Sequence, residues 1–312
     1  GVSLLAASGC VNALCCGVES ADCDFPALAR IACDTGVQAQ LQALLRQGTS
    51  YASAWEQLFA AHSEKLEKPL SSPNDILALS YTQAILLHGY DIEPLYVQRQ
   101  DSGYNSTEIS STLASATAIR QALATGNASW QQAVPPAVQN VLLHASYDER
   151  LLWQLICYRL RLLSPTEIAA RTECSEGLEN RLKQAADCAS LAEAVAACSS
   201  KRYTASRCRR LLLQLLCDVP RETWVQQHAA YLRVLAFNDT GRQLLKQMKK
   251  TASLPLITKL GRGWQYDAGQ AEACHTQLAL ELKATDVWSL LQKRSELNRQ
   301  GNDYYLSPAY VK

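Results

Sequence analysis

The sequence predicts an α/β protein: a parallel-sheet domain followed by a mainly helical C-terminal domain with a small α/β tail. Three observations lead there. Short apolar runs alternate with longer amphipathic stretches as far as Ser115, which is how strands and helices take turns around a parallel sheet. Beyond Ser115, helix-start signals follow one another with almost no strand between them. An apolar fraction of 48% with 19% charged residues over 312 residues is enough to bury two cores.

Residues 2 to 8 suit a helix, and Val11 to Cys16 form a run that is apolar except at Asn12 and is closed by Gly17, read as a buried parallel strand and its exit turn. A helix from Phe25 to Arg46 follows, with Leu28, Ile31, Leu41 and Leu45 on one side. Ser72-Pro73-Asn74-Asp75 supplies a capping serine, proline at the first helical position and an acid in the first turn, so another helix starts there. Ile92 to Val97 reads as a second short strand. Pro135-Pro136 breaks the chain, and the domain boundary is placed near residue 144. Ser146-Tyr147-Asp148-Glu149 and Ser164-Pro165-Thr166-Glu167 have the spacing of capping boxes, and further helices fit Ser175 to Ala189, Leu191 to Cys198 and Tyr203 to Cys217. In the tail, Tyr231 to Phe237 and Leu256 to Leu260 read as strands around a helix that opens at Asn238-Asp239. Two clear strands are few for a stable sheet, and the chain opens at Gly1 on what reads as the interior of a domain, so further elements upstream are expected.

A formal net charge of +1 means that any nucleic-acid surface must be a local concentration of Lys and Arg. No apolar run is long enough to span a membrane and no signal peptide is visible, so a cytoplasmic protein is expected. The twelve cysteines include no CxxC pair and, with five scattered histidines, lack metal-ligand spacing; they read as reduced core residues, with no metal site.

GxGxxG, Walker A, HExxH and GxSxG motifs are all absent. What remains is a spaced constellation at strand ends and helix N-termini, where open α/β sheets bind ligands: Gly17, Asn74, Arg99 and the stretch holding Ser115, Thr117 and Arg120. The chemistry suits a nucleoside triphosphate. Glycine allows close approach to the backbone, helix amides attract phosphate oxygens, and Arg99 and Arg120 offer forked donors to a polyphosphate. Each residue also has an ordinary structural role open to it, as turn, cap or solvated strand end. Lys201, Arg202, Arg207, Arg209 and Arg210 concentrate positive charge at the start of one helix, with Tyr203 a candidate to stack on an unpaired base, and Lys246, Lys249, Lys250, Lys259 and Arg262 form a second basic group.

The stretch Ser115 to Arg120, SATAIR, resembles the ISSTxxR signature of HxGH-type nucleotidyltransferases, with Ala114 and Ala116 departing from it. The strings SPNDILAL from Ser72, SEGLENRLKQAA from Ser175, KRYTASRCRRLLL from Lys201, YLRVLAFNDTGRQLLK from Tyr231 and SLPLITK from Ser253, with Ser307 to Val311 at the end, are similar to the bacterial tRNA(Met) cytidine acetate ligase family. The similarity runs in family order over nearly the whole chain.

The resemblance implies an enzyme that uses ATP, with Mg²⁺ as its counterion, and acetate to make acetyl-adenylate, and then acetylates the wobble cytidine of elongator tRNA(Met). Residues 1–143 become the C-terminal portion of a nucleotidyltransferase-like, Rossmann-like ATP-binding domain, and 144–312 a mainly helical tRNA-binding domain. Gly17, Asn74 and Arg99 match family positions that contact ATP; Ser115, Thr117 and Arg120 are assigned to the same ATP site from their place at a helix start. Lys201, Arg202, Tyr203, Arg207, Arg210, Lys249 and Lys250 fall to tRNA(Met). The family's HxGH loop has no counterpart in this sequence, so no catalytic side chain is assigned. Two other readings remain at this point: a non-catalytic tRNA-binding fragment, and a nucleotidyltransferase that adenylylates a small molecule.

Overall fold

The computed structural model describes residues 1–312 apart from 21, 50, 63–71, 100–108, 110–113, 145–146, 172–173, 175–176, 201–202, 222–228, 262–270, 293–297 and 312, and apart from the side chains of 52, 144 and 271. The chain divides into two compact units, one of Val11–Ala145 and one joining Ser3–Cys10 to Ser146–Lys312.

The opening helix, α1 (Val2–Ala7), is expected with the sheet domain, yet all of it but Val2 groups with the C-terminal unit. Ser253 N donates to Ala7 O at 2.9 Å and Thr251 Oγ1 to Ser8 O at 3.1 Å. Gly9, at φ 66°, passes so close to Thr251 that a Cβ would stand 2.5 Å from its carbonyl oxygen. Only glycine fits that crossing.

The Val11–Ala145 unit contains β1 (Ala13–Val18), α2 (Phe25–Cys33), α3 (Thr35–Arg46), α4 (Tyr51–His62), α5 (Pro73–His88), β2 (Glu93–Gln98), α6 (Ala116–Thr125), a 3₁₀ segment Ala128–Ala133, and α7 (Pro136–His144). β1 and β2 run parallel, in register from Ala13 opposite Glu93 to Val18 opposite Gln98. α5 lies against both α2 and β1. Between them is a core of Val18, Phe25, Leu28, Trp55, Phe59 and Leu79. The ring of Phe25 stacks on Tyr96 at 4.8 Å, which ties α2 to β2.

Two elements differ from expectation. Gly17 is inside β1, opposite Val97, instead of forming its exit turn, and the strand continues through Val18. The single helix expected from Phe25 to Arg46 is two helices parted at Asp34, whose extended backbone (φ −66°, ψ 132°) ends α2 while its Oδ1 accepts from Gly36 N at 2.8 Å and Val37 N at 3.0 Å. An aspartate that satisfies two otherwise orphaned amides is a strong N-cap, and it overrode an apolar periodicity that ran on across the break.

In the second unit α8 (Glu149–Leu162), α9 (Pro165–Arg171), α10 (Leu178–Ala185), α11 (Leu191–Cys198) and α12 (Ala205–Leu216) enclose a core that includes Ile156, Leu160, Ile168, Leu182, Cys198 and Leu212. α9 has its capping box in both directions: Ser164 N donates to Glu167 Oε2 at 2.8 Å and Glu167 N to Ser164 Oγ at 3.2 Å. For α8 the cap is Asp148, accepting from Leu151 N at 2.9 Å, and Ser146 lies outside the described residues.

The tail holds β3 (Leu232–Arg233), β4 (Ala236–Phe237), α13 (Asp239–Thr251), β5 (Leu256–Ile257), α14 (Ala271–Leu290), α15 (Asn302–Tyr305) and β6 (Ala309–Tyr310). β3 pairs in parallel with β5, and β4 with β6. The one strand expected from Tyr231 to Phe237 is thus two pieces that change partner between Arg233 and Ala236. Arg233 anchors the turnover, donating to Glu281 Oε1 at 2.6 Å and to Asp303 Oδ1 at 2.5 Å. Burial opposes its charged form, but the two carboxylates outweigh that and hold the guanidinium above its ordinary range. Among the described residues no helix is long and apolar enough to cross a membrane.

Candidate functional site

The exit of β1 meets the start of α5, and Asp75 makes the junction. At the third helical position its carboxylate would reach back to its own cap in a capping box. Instead Asp75, 1% exposed, accepts from Glu19 N at 2.8 Å and Ser20 N at 3.2 Å. The capping serine does two jobs: Ser72 Oγ accepts from Asp75 N at 3.2 Å and donates to Glu19 Oε2 at 2.6 Å.

Glu19 is the hub. Its Oε1 accepts from Asn74 Nδ2 at 2.5 Å and lies 3.8 Å from Arg99 Nε. Arg99 N donates to Val18 O at 2.9 Å, which extends the strand pairing by one residue and brings the arginine side chain back over Gly17. A Cβ at Gly17 would stand 3.3 Å from Arg99 Cγ, so the bare glycine provides the space that the arginine methylenes cross. Asn74 and Arg99, from distant parts of the sequence, come together around the Glu19 carboxylate, and Gly17 lies beneath the Arg99 methylenes. Neither Glu19 nor Asp75 was anticipated. The signal for Asp75, an acid in the first turn of a capped helix, was visible but read as helix chemistry alone.

The thiols near this junction are poor nucleophiles. Burial, with the charges of Asp75 and Asp24, pushes Cys23 up to about 11, and burial raises Cys16 as well. Among the described residues no group of three or more His, Cys, Asp or Glu is arranged to hold a metal ion.

Ser115, 5% exposed, caps α6 by accepting from Ala118 N at 3.0 Å. Thr117 Oγ1 accepts from Arg120 Nη2 at 3.2 Å on the exposed side of the first turn. On α12, Arg209 and Arg210 are exposed. Tyr203 corrects an expectation: it is 5% exposed and belongs to the core of the second unit, with the Arg207 guanidinium 5.0 Å from its ring centre. Its backbone closes a turn with Ser200 ahead of α12, Ser200 N donating to Tyr203 O at 2.8 Å, and a ring so buried offers little face to an unpaired base. Lys246, Lys249 and Lys250 are exposed along α13. Lys201, Arg202 and Arg262 lie outside the described residues.

A family model described as HIGH Nucleotidyl Transferase matches residues 1–303. The tRNA(Met) cytidine acetate ligase of Alkaliphilus metalliredigens is 31% identical over 341 aligned residues, covering 100% of this chain and 79% of the relative. That of Syntrophomonas wolfei is 32% identical, covering 98% and 78%. The chain belongs to the tRNA(Met) cytidine acetate ligase family. The family resemblance drawn from the ordered strings is therefore borne out, as is the mixed α/β, nucleotidyltransferase-like fold. A solved structure of Thermotoga maritima TmcAL bound with alpha-thio ATP is 25% identical and superposes with a TM-score of 0.82, covering 99% of this chain and 79% of that one. The apo form of the same protein, 24% identical with a TM-score of 0.84, shares the fold.

Proposed function

We propose that this chain acts as an ATP-dependent ligase that activates acetate as acetyl-adenylate and acetylates the wobble cytidine of elongator tRNA(Met). The observation that carries the reading is the convergence of Asn74 and Arg99 on Glu19, with Arg99 crossing Gly17, in a member of a family whose relatives bear that name.

The first unit is the ATP half. Arg99 approaches Glu19 through Nε, which leaves its terminal nitrogens to a phosphate. The N-terminus of α6, with Ser115 as cap, Thr117 on its first turn and Arg120 on its second, adds amide dipoles and a second guanidinium for the polyphosphate. Mg²⁺ enters with ATP as part of the substrate. Acetate attacks the α-phosphorus in line and pyrophosphate leaves, a step that depends on positioning and charge neutralisation. The cytidine amine then attacks the acyl carbon of the anhydride, AMP departs, and the amine loses a proton. No covalent enzyme intermediate is assigned, consistent with the raised thiol of Cys23. The second unit is the tRNA half, with Lys201, Arg202, Arg207, Arg210, Lys249 and Lys250 as phosphate contacts. The reaction belongs to the cytoplasm, where tRNA is modified.

The test is acetylation of tRNA(Met) by the complete gene product, read as acetylcytidine by mass spectrometry of the digested RNA. Acetylcytidine that requires both ATP and acetate supports the reading. A gene product that binds tRNA(Met) but neither binds ATP nor modifies the RNA overturns it in favour of a tRNA-binding module.

A further inference from the structure

Glu19 stands in an unexpected place, because a carboxylate beside a polyphosphate repels it. The backbone junction does not require it: Asp75 already ties Glu19 N and Ser20 N to the start of α5. What the Glu19 carboxylate adds is side-chain orientation. It accepts from Ser72 Oγ at 2.6 Å with one oxygen and from Asn74 Nδ2 at 2.5 Å with the other, and its own exposure is 32%.

A carboxylate only accepts hydrogen bonds, so the atom of the Asn74 amide that faces Glu19 must be the nitrogen. The orientation of that amide is thereby fixed by chemistry. Asn74 Oδ1 is turned away from Glu19, and among the described residues no other hydrogen bond engages it. We infer that Glu19 is a positioning residue that locks the Asn74 amide with Oδ1 toward the nucleotide, making Asn74 a reader of a hydrogen-bond donor on the nucleoside rather than a phosphate ligand. The inference rests on the ATP-site reading above and deepens it. Two nucleoside groups carry such a donor, a ribose hydroxyl and the 6-amino group of adenine. A site built around a donor discriminates strongly against an analogue that lacks it, because its own acceptor is then left unpaired.

The experiment measures affinities of the full chain for ATP, 2′-deoxyATP, 3′-deoxyATP and ITP by titration calorimetry. The unaltered protein is expected to bind at least one analogue about tenfold more weakly than ATP, and which one identifies the donor. In Glu19→Gln the amide of Asn74 is free to turn, and the discrimination should fall to about twofold or less. Asn74→Asp sets two carboxylates face to face and should weaken binding of ATP itself. The pair Glu19→Gln with Asn74→Asp restores an amide–carboxylate contact with the roles exchanged and leaves a carboxylate oxygen facing the nucleotide, so discrimination should return. A merely structural Glu19 predicts loss of stability in every variant and no such rescue. If the unaltered protein binds ATP but treats all four nucleotides alike, or if Glu19→Gln keeps the discrimination, the positioning role is overturned and the ATP site stands. Failure of the unaltered protein to bind ATP removes the site and this inference together.

Discussion

Asp75 is buried to 1% exposure, and a single oxygen of it accepts two backbone amides from a residue pair more than fifty positions earlier in the chain. Removing the carboxylate leaves Glu19 N and Ser20 N facing a void at the point where β1 ends. Asp75→Ala should therefore cost about 1–3 kcal/mol in urea unfolding, the usual penalty for stranding buried donors. Asp75→Asn keeps one acceptor oxygen and should cost less. A larger loss in the asparagine variant would mean that the negative charge, not the acceptor, holds the junction. At this scale the sequence told only part of the story. Gly17, Asn74 and Arg99 were legible because each has a local signature: a glycine closing an apolar run, a helix-start residue, an arginine at a strand end. Glu19 was not legible. Its bonds to Ser72 and Asn74 span 53 and 55 residues, and no local spacing encodes a contact of that range.

Among the elements, helix starts were readable where a serine cap stands directly before the helix. Ser72, Ser115 and the Ser164–Glu167 box all bond as their spacing implies. The break at Asp34 and the short paired strands of the tail were not readable. The first looked like an ordinary position within a continuous apolar stripe, and the second depend on partners that follow only after a helix or more of intervening chain. Helix ends behave similarly. The last carbonyls of α8 are met by a lysine from another helix: Lys183 Nζ donates to Leu160 O at 2.7 Å, Arg161 O at 2.9 Å and Leu163 O at 2.7 Å. An ammonium group placed there satisfies orphan acceptors and faces the negative end of the helix dipole. Lys183→Met keeps much of the stem packing and removes the three donors. It should destabilise the protein by about 1.5–3 kcal/mol by chemical denaturation. Lys183→Arg should recover part of that loss, and a neutral methionine variant would show that water replaces the ammonium without cost.

The two units have separate cores, one around Phe25, Trp55 and Leu79 and one around Ile156, Leu182 and Leu212. The groups proposed for ATP all belong to the first unit, and the exposed lysines of α13 to the second. Substitutions on one unit should therefore leave the chemistry of the other nearly intact. Arg99→Ala removes the forked donor above Gly17, and should lower ATP-dependent acetylation by the complete gene product about a hundredfold while changing tRNA(Met) affinity by less than about twofold. Lys249→Ala with Lys250→Ala should do the reverse. Both side chains are exposed at the end of α13, so their loss removes phosphate contacts without disturbing a core. Affinity for tRNA should fall, the slope of log affinity against log salt should flatten by about 1 per lysine, and the Michaelis constant for ATP should stay put. The salt slope is the sharper measurement, because a folding defect lowers the concentration of active protein and leaves the slope unchanged. Equal losses of turnover and tRNA affinity in both variants would contradict the division into an ATP half and an RNA half, whatever their size.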